Sequence, residues 1–195
     1  MKLNAVSKFR WLASLLFWVP LFSPQSITAQ IVGALNFASR IAGVYDAPVF
    51  VCEGGVLGRA SGTNYLVQLF AGIDATHLVP VGGAIPFRTQ AFAGYWRAAA
   101  ISIDRSLVGP TNITTVQIRA WQSTAGDTYD VALANGGLVG QSNIIRVQPI
   151  DAPDPPSTLT GLQSFTIGAA ECPEPSTWAL LLVGLGVLLC KRQRK

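Results

Sequence analysis

The sequence predicts an all-β fold for residues 30–170: an immunoglobulin-like or jelly-roll-type antiparallel sandwich carrying one short helix. Three observations predict it. Turn signals recur every ten or so residues, at Glu53-Gly54-Gly55, Ser61-Gly62, Val81-Gly82-Gly83, Val108-Gly109-Pro110, Ala125-Gly126-Asp127 and Asn135-Gly136-Gly137, the spacing of short antiparallel strands. Between them the apolar residues alternate with period two. The long helical crossovers that parallel strands require have no counterpart in the pattern. Half of the 195 residues are hydrophobic and only 14 are Lys or Arg against 10 Asp or Glu, a balance that excludes a disordered chain.

The first element is a leader. Lys2, Lys8 and Arg10 precede the apolar stretch Trp11–Val19, and a Pro-interrupted polar segment follows, closing on Ser26-Ile27-Thr28-Ala29. This is the order of a secretory signal peptide, with a small residue where signal peptidase cuts. Cleavage is expected after Ala29, leaving Gln30 first, so residues 1–29 are assigned to the signal. The alternative is an uncleaved anchor helix, which Pro20 and Pro24 oppose by interrupting any longer span.

Eight strands are expected in the body. In Asn64–Phe70, Tyr65, Val67 and Leu69 share a face; in Thr115–Trp121, Val116, Ile118 and Ala120 do. Ile101 with Ile103, Ile145 with Val147, and Phe165 with Ile167 mark three more, and further strands are expected around Ala34–Ala38, Ala47–Cys52 and Ile85–Thr89. Their order in the sheets is left open. Asp127–Gly136 breaks the alternation: it offers a capping residue, acids in its first turn and a glycine after its end, and predicts a short helix. The proline-rich run Asp151–Ser157 predicts an extended loop between strands.

The last element, residues 171–195, reads Cys172-Pro173-Glu174-Pro175-Ser176-Thr177, then thirteen apolar residues from Trp178 to Cys190, then Lys-Arg-Gln-Arg-Lys. As a helix, 178–190 reaches about 20 Å against a hydrocarbon core of about 30 Å, so a transmembrane helix there recruits its flanks or thins the bilayer. The terminal cations hold that end on the cytoplasmic side, and Trp178 suits an interfacial anchor on the other. With basic clusters at both ends inside, the body is expected outside. Between residues 30 and 175 there is no Lys, and seven Arg face ten acids, a net of −3. Nucleic acid is therefore not an expected partner, because a binder needs its cations on the folded surface.

The order of tripeptide, short span and basic tail resembles the PEP-CTERM sorting signal of Gram-negative bacteria. The resemblance covers residues 172–195 and implies export, recognition of Pro173-Glu174-Pro175 by an exosortase, and association with exopolysaccharide and cell-surface or biofilm material. Physical chemistry agrees with it. Two prolines hold the backbone extended and forbid a helix, which presents the Glu174 carboxylate on an unpaired segment just outside the membrane. Glu174 is then a recognition residue in another enzyme's substrate. A simple tail anchor with a proline linker is the alternative.

Chemistry within the body is sparsely supported. The only histidine, His77, lies in a polar stretch, and nucleophilic catalysis needs a base poised beside its nucleophile. Gly58-Arg59-Ala60-Ser61-Gly62 lacks the spacing of a nucleophile elbow. One His and no paired Cys motif leave zinc without ligands, and no calcium loop is present. No catalytic residue, metal or cofactor is expected. Asp127 and Asp130 are a carboxylate pair for hydrolysis, with helix capping as the plainer role. Cys52 and Cys172 share an oxidising compartment after export and are candidates for a disulfide, each equally able to stay free or pair between molecules. Trp121 with Gln117 and Arg119, and one of Tyr95 or Trp96, form a candidate sugar contact, an indole for stacking beside polar groups. The alternative buries Trp121 under the helix or a second sheet.

Three functional expectations follow. The first is an exported, exosortase-processed cell-surface or extracellular-matrix protein of structural or adhesive type, membrane-anchored before processing. The second is a carbohydrate-binding module for exopolysaccharide, and the third a carboxylate-dependent hydrolase.

Overall fold

The computed structural model describes residues 31–168 and Cys172. The expected signal peptide with its Ala29–Gln30 cleavage site, the Pro173-Glu174-Pro175 tripeptide and the apolar run 178–190 lie outside the described residues. Among the described residues no helix is long and apolar enough to cross a membrane.

Thirteen strands and one α-helix follow one another in the described chain. They are β1 (Ile31–Phe37), β2 (Arg40–Ile41), β3 (Tyr45–Asp46), β4 (Phe50–Glu53), β5 (Val56–Arg59), β6 (Tyr65–Gly72), β7 (Val79–Pro86), β8 (Ala99–Asp104), β9 (Thr114–Gln122), α1 (Tyr129–Ala134), β10 (Val139–Gln141), β11 (Ile145–Val147), β12 (Ser157–Thr158) and β13 (Thr166–Gly168). The class is all-β with one short helix, as the turn spacing predicts. Each of the eight expected strands has a counterpart, and β2, β3, β5, β10 and β12 are additions, none longer than four residues and so too short to show a period.

Four sheets result: β12-β1-β8, β10-β9-β6-β7 with β11 also on β9, β13-β4-β5, and β2-β3. β9 is the central strand. It pairs with β6 from Tyr65↔Gln122 to Gly72↔Thr115, and β10 and β11 share its other edge. Ser142 bridges the gap between those two short strands: its N–H donates to the Ile118 carbonyl at 2.8 Å and its hydroxyl accepts the Ile118 N–H at 2.9 Å. A buried backbone amide that would otherwise lack a partner is thereby satisfied.

Leu35, Phe37, Ile101 and Ile103 from β1 and β8 meet Val67, Leu69, Val116 and Ile118 from β6 and β9 in one apolar core. β4 contributes Val51 and the C-terminal strand β13 contributes Ile167. A second, smaller cluster of Phe70, Trp121, Tyr129 and Ala132 lies on the opposite face of β9 and β6.

Two findings correct the expectation of a purely antiparallel arrangement. β12 runs parallel to β1 and β13 runs parallel to β4. Each of these pairs joins strands more than a hundred residues apart, so no tight turn dictates an antiparallel return. The expected strand at Ile85–Thr89 is also displaced, ending at Pro86 and beginning at Val79. Gly82 and Gly83 read as a turn but form a bulge inside β7, where the register against β6 shifts between Val67 and Leu69. Gly82 takes φ +70°, and Gln68 donates to its carbonyl at 2.7 Å; the missing Cβ makes that backbone accessible.

All four tyrosines of the chain are held away from their ordinary ionisation range. Burial raises Tyr65 to about 12, with its hydrogen bond to Glu53 as the next cause. Burial also raises Tyr45, Tyr95 and Tyr129, and Asp46 adds to the effect at Tyr95. A pKa raised in the folded state contributes stability that is complete below the unfolded value near 10 and is lost as pH climbs through the folded value. Alkaline titration at 295 nm is therefore expected to place the tyrosine midpoints of native protein above the unfolded value near 10. Midpoints at or below that value with intact circular dichroism would contradict this.

Candidate functional site

β4 and β5 form a two-residue hairpin in which Cys52 faces Leu57 and Glu53 faces Val56. The turn is Gly54-Gly55, with φ +58° and +79°. Positive φ at both central positions is what a type I′ hairpin requires, and glycine supplies it without a steric penalty. Cys52, buried on β4, is bonded to Cys172 with the two Cα atoms 5.6 Å apart at a sequence separation of 120. Gly168 of β13 lies beside Cys52 in register. The residue immediately before Pro173 is thus covalently fixed to the tip-proximal end of a sheet. Sequence reasoning names both cysteines but misses the hairpin beside them, although the Glu53-Gly54-Gly55 turn signal directly follows Cys52.

The hairpin tip is apolar and exposed. Val56 is 69% exposed and Leu57 49%, while the Glu53 carboxylate turns back to accept the Tyr65 hydroxyl at 2.9 Å. A trough of about 350 Å³ runs along this end, lined by Val51, Glu53, Val56, Arg59 and Tyr65 among others.

The candidate sugar contact is corrected by the structure. Trp121 is 0% exposed, beneath Tyr129 and Ala132 of α1, and its indole N–H donates to the Gly126 carbonyl at 2.9 Å. Gln117 is buried, donating to the Ser142 carbonyl at 3.2 Å and accepting from Arg119 at 3.0 Å. The Arg119 guanidinium covers the rings of Phe70 at 4.4 Å and Tyr129 at 5.2 Å. Trp96 is buried between Phe37 and Phe87, with its N–H on the Phe37 carbonyl at 3.2 Å. Tyr95 is covered by Arg59 and Arg40. These polar and aromatic groups satisfy one another, and among the described residues no indole face is left at the surface for a pyranose ring. The reason is that β9 is central and both of its faces are covered, one by the core and one by the helix.

Trp121→Ala removes the largest fully buried side chain among the described residues. A loss of about 3–4 kcal/mol is expected by urea denaturation, because the short helix can settle into part of the vacated space. A change below about 1 kcal/mol would mean that the helix does not pack there.

Asp127 and Asp130 stand at the start of α1, Asp127 before its cap and Asp130 within its first turn. Thr128, not Asp127, caps α1, its hydroxyl oxygen accepting the Val131 N–H at 3.4 Å. Asp130 sits in the first helical turn, where negative charge is favoured by the helix dipole. His77 is exposed in the β6–β7 connection, its Nδ1 2.9 Å from Asp74. Asp74 also accepts the Thr76 hydroxyl at 2.7 Å and the backbone N–H groups of Thr76 and His77. Those bonds, from Thr76 first, hold its carboxyl well below the usual carboxylate range. The arrangement locks a turn. Among the described residues no three His, Cys, Asp or Glu converge on a metal-sized space.

Comparison with known proteins bears on the tail alone. Residues 171–195 match the PEP-CTERM protein-sorting motif. The match begins at residue 171, so the disulfide-bonded Cys172 is its second residue, and the motif marks an exported protein whose C-terminus an exosortase processes. No curated protein matches the chain, and no solved structure does.

Proposed function

We propose that this chain is a non-enzymatic structural or adhesive protein of the cell surface or extracellular matrix. It is held in the membrane by the apolar run 178–190 until an exosortase acts at Pro173-Glu174-Pro175, and then passes to the surface or beyond. The observation that carries the reading is the sorting-motif match over residues 171–195. The disulfide supports it, since such a bond persists in an oxidising compartment outside the cytoplasm. So does the placement of all four lysines at the two ends, with none between residues 30 and 175, where seven Arg are outnumbered by ten acids.

The body serves as the displayed module. We read it as a two-layer sandwich, a reading supported by the single core between the β12-β1-β8 sheet and the β10-β9-β6-β7 sheet. Asp74 and His77 are held in a turn and Asp130 lies in the first turn of the helix, which favours display over catalysis.

Intact-mass analysis of protein recovered from the native host tests the proposal. The expected mature species begins at Gln30 and lacks the basic tail. A species that begins at Gln30 yet retains Cys190 and the tail would overturn it.

A further inference from the structure

We infer that the β4–β5 hairpin is a lipid contact: Val56 and Leu57 enter the interfacial layer of the same membrane that holds residues 178–190 before processing. The inference rests on the proposed insertion of that run and adds to it the face that the domain turns toward the bilayer.

Chain length sets the geometry. Cys172 is fixed 5.6 Å from Cys52, and Trp178 follows six residues later. Six residues reach at most about 20 Å fully extended, and about 19 Å in the polyproline conformation that the two prolines favour. Without the disulfide the free tether would begin after Gly168 and span ten residues, about 35 Å at full stretch. The bond therefore shortens the tether by nearly half and makes one end of one sheet, the end carrying Cys52, the part of the domain nearest the bilayer.

That end is chemically suited to lipid. Leu57 is the direct cross-strand partner of Cys52, and Val56 lies one residue nearer the turn. Val56 is the most exposed large apolar side chain among the described residues. Successive strand residues point to opposite faces, so a hairpin entering tip first and edge-on places both side chains in the acyl boundary. Gly54 and Gly55 add no polar side chain, and Glu53 is turned back onto Tyr65. Of the remaining exposed apolar residues, Val131 and Leu133 share α1 and others, such as Val44, Ile73 and Phe92, lie on other elements; none is a cross-strand partner of Cys52. Two apolar side chains bind a bilayer weakly on their own, but a tether this short makes the contact intramolecular and raises its effective concentration.

The test uses the full chain, signal removed, reconstituted into phosphatidylethanolamine–phosphatidylglycerol vesicles whose acyl chains carry nitroxide quenchers. The fluorescent amino acid acridonylalanine is placed in separate samples at Val56, at Leu182 within the apolar run, and at Val44 in the β2–β3 turn. The expected result is strong quenching at 56 and 182 and none at 44. Quenching at 182 without quenching at 56 would overturn the hairpin contact while leaving insertion standing. Absence of quenching at 182 would overturn the insertion reading and the contact with it. Equal quenching at 44 and 56 would show unspecific adsorption and overturn the assignment of this face.

Discussion

A Glu174→Ala chain is expected to accumulate in the native host as a signal-cleaved species that keeps Cys190 and the basic tail. Glu174 is the only charged residue between Cys172 and Lys191, so it is the only charge an enzyme can read between the disulfide and the basic tail. Proline at 173 and 175 disfavours a helix there, and the expected extended segment would offer the carboxylate to an enzyme cleft. Removing one partner of a desolvated, hydrogen-bonded charge pair costs about 2–5 kcal/mol, a loss of roughly 30-fold or more in processing at limiting enzyme. Glu174→Asp keeps the charge and withdraws it by one methylene, so its defect is expected to be smaller. Glu174→Gln keeps the shape without the charge and is expected to resemble the alanine variant. Mass spectrometry of the recovered protein ranks the three. Normal trimming of Glu174→Ala would remove the carboxylate from the recognition step.

Cys52→Ser and Cys172→Ser are each expected to lower the stability of the domain by about 4–5 kcal/mol. The bond closes a loop of 120 residues, and confining that many residues removes conformational entropy from the unfolded chain roughly as the logarithm of the loop length. For a domain of this size the loss corresponds to a fall in Tm on the order of 15 °C. The double variant is expected to lose no more than either single one, because one bond is removed in all three. Differential scanning calorimetry in non-reducing buffer, with thiol counting to confirm oxidation of the parent, measures this. Equal melting of parent and variants would mean that the bond does not constrain the unfolded chain.

These two outcomes depend on parts of the molecule that are legible to different degrees. The Pro-Glu-Pro tripeptide and the basic tail of the sorting motif are readable residue by residue, since their chemistry lies in local order. The same is true of β6 and β9, whose long alternation identifies one face each, and of α1, whose ends carry their own signals. The β2–β3 pair and β12 are two residues per strand and leave no period to read. Thr128 takes the cap in place of Asp127 because one residue of register decides which side chain reaches the Val131 amide.

The all-β class and the sorting tail could be read from the sequence alone, because each follows from neighbours along the chain: an alternation, a proline-flanked carboxylate, a basic end. Tertiary structure decided what covers the second face of β9. Period two places Trp121, Gln117 and Arg119 on one side but says nothing of the helix laid across it, and that helix turns a candidate sugar platform into a second core. It also decided that β12 and β13 join their sheets in parallel, and that Cys172 meets Cys52 beside an exposed hairpin. Such contacts join residues more than a hundred positions apart, and at that separation proximity is a consequence of the whole packed core and not of any local pattern.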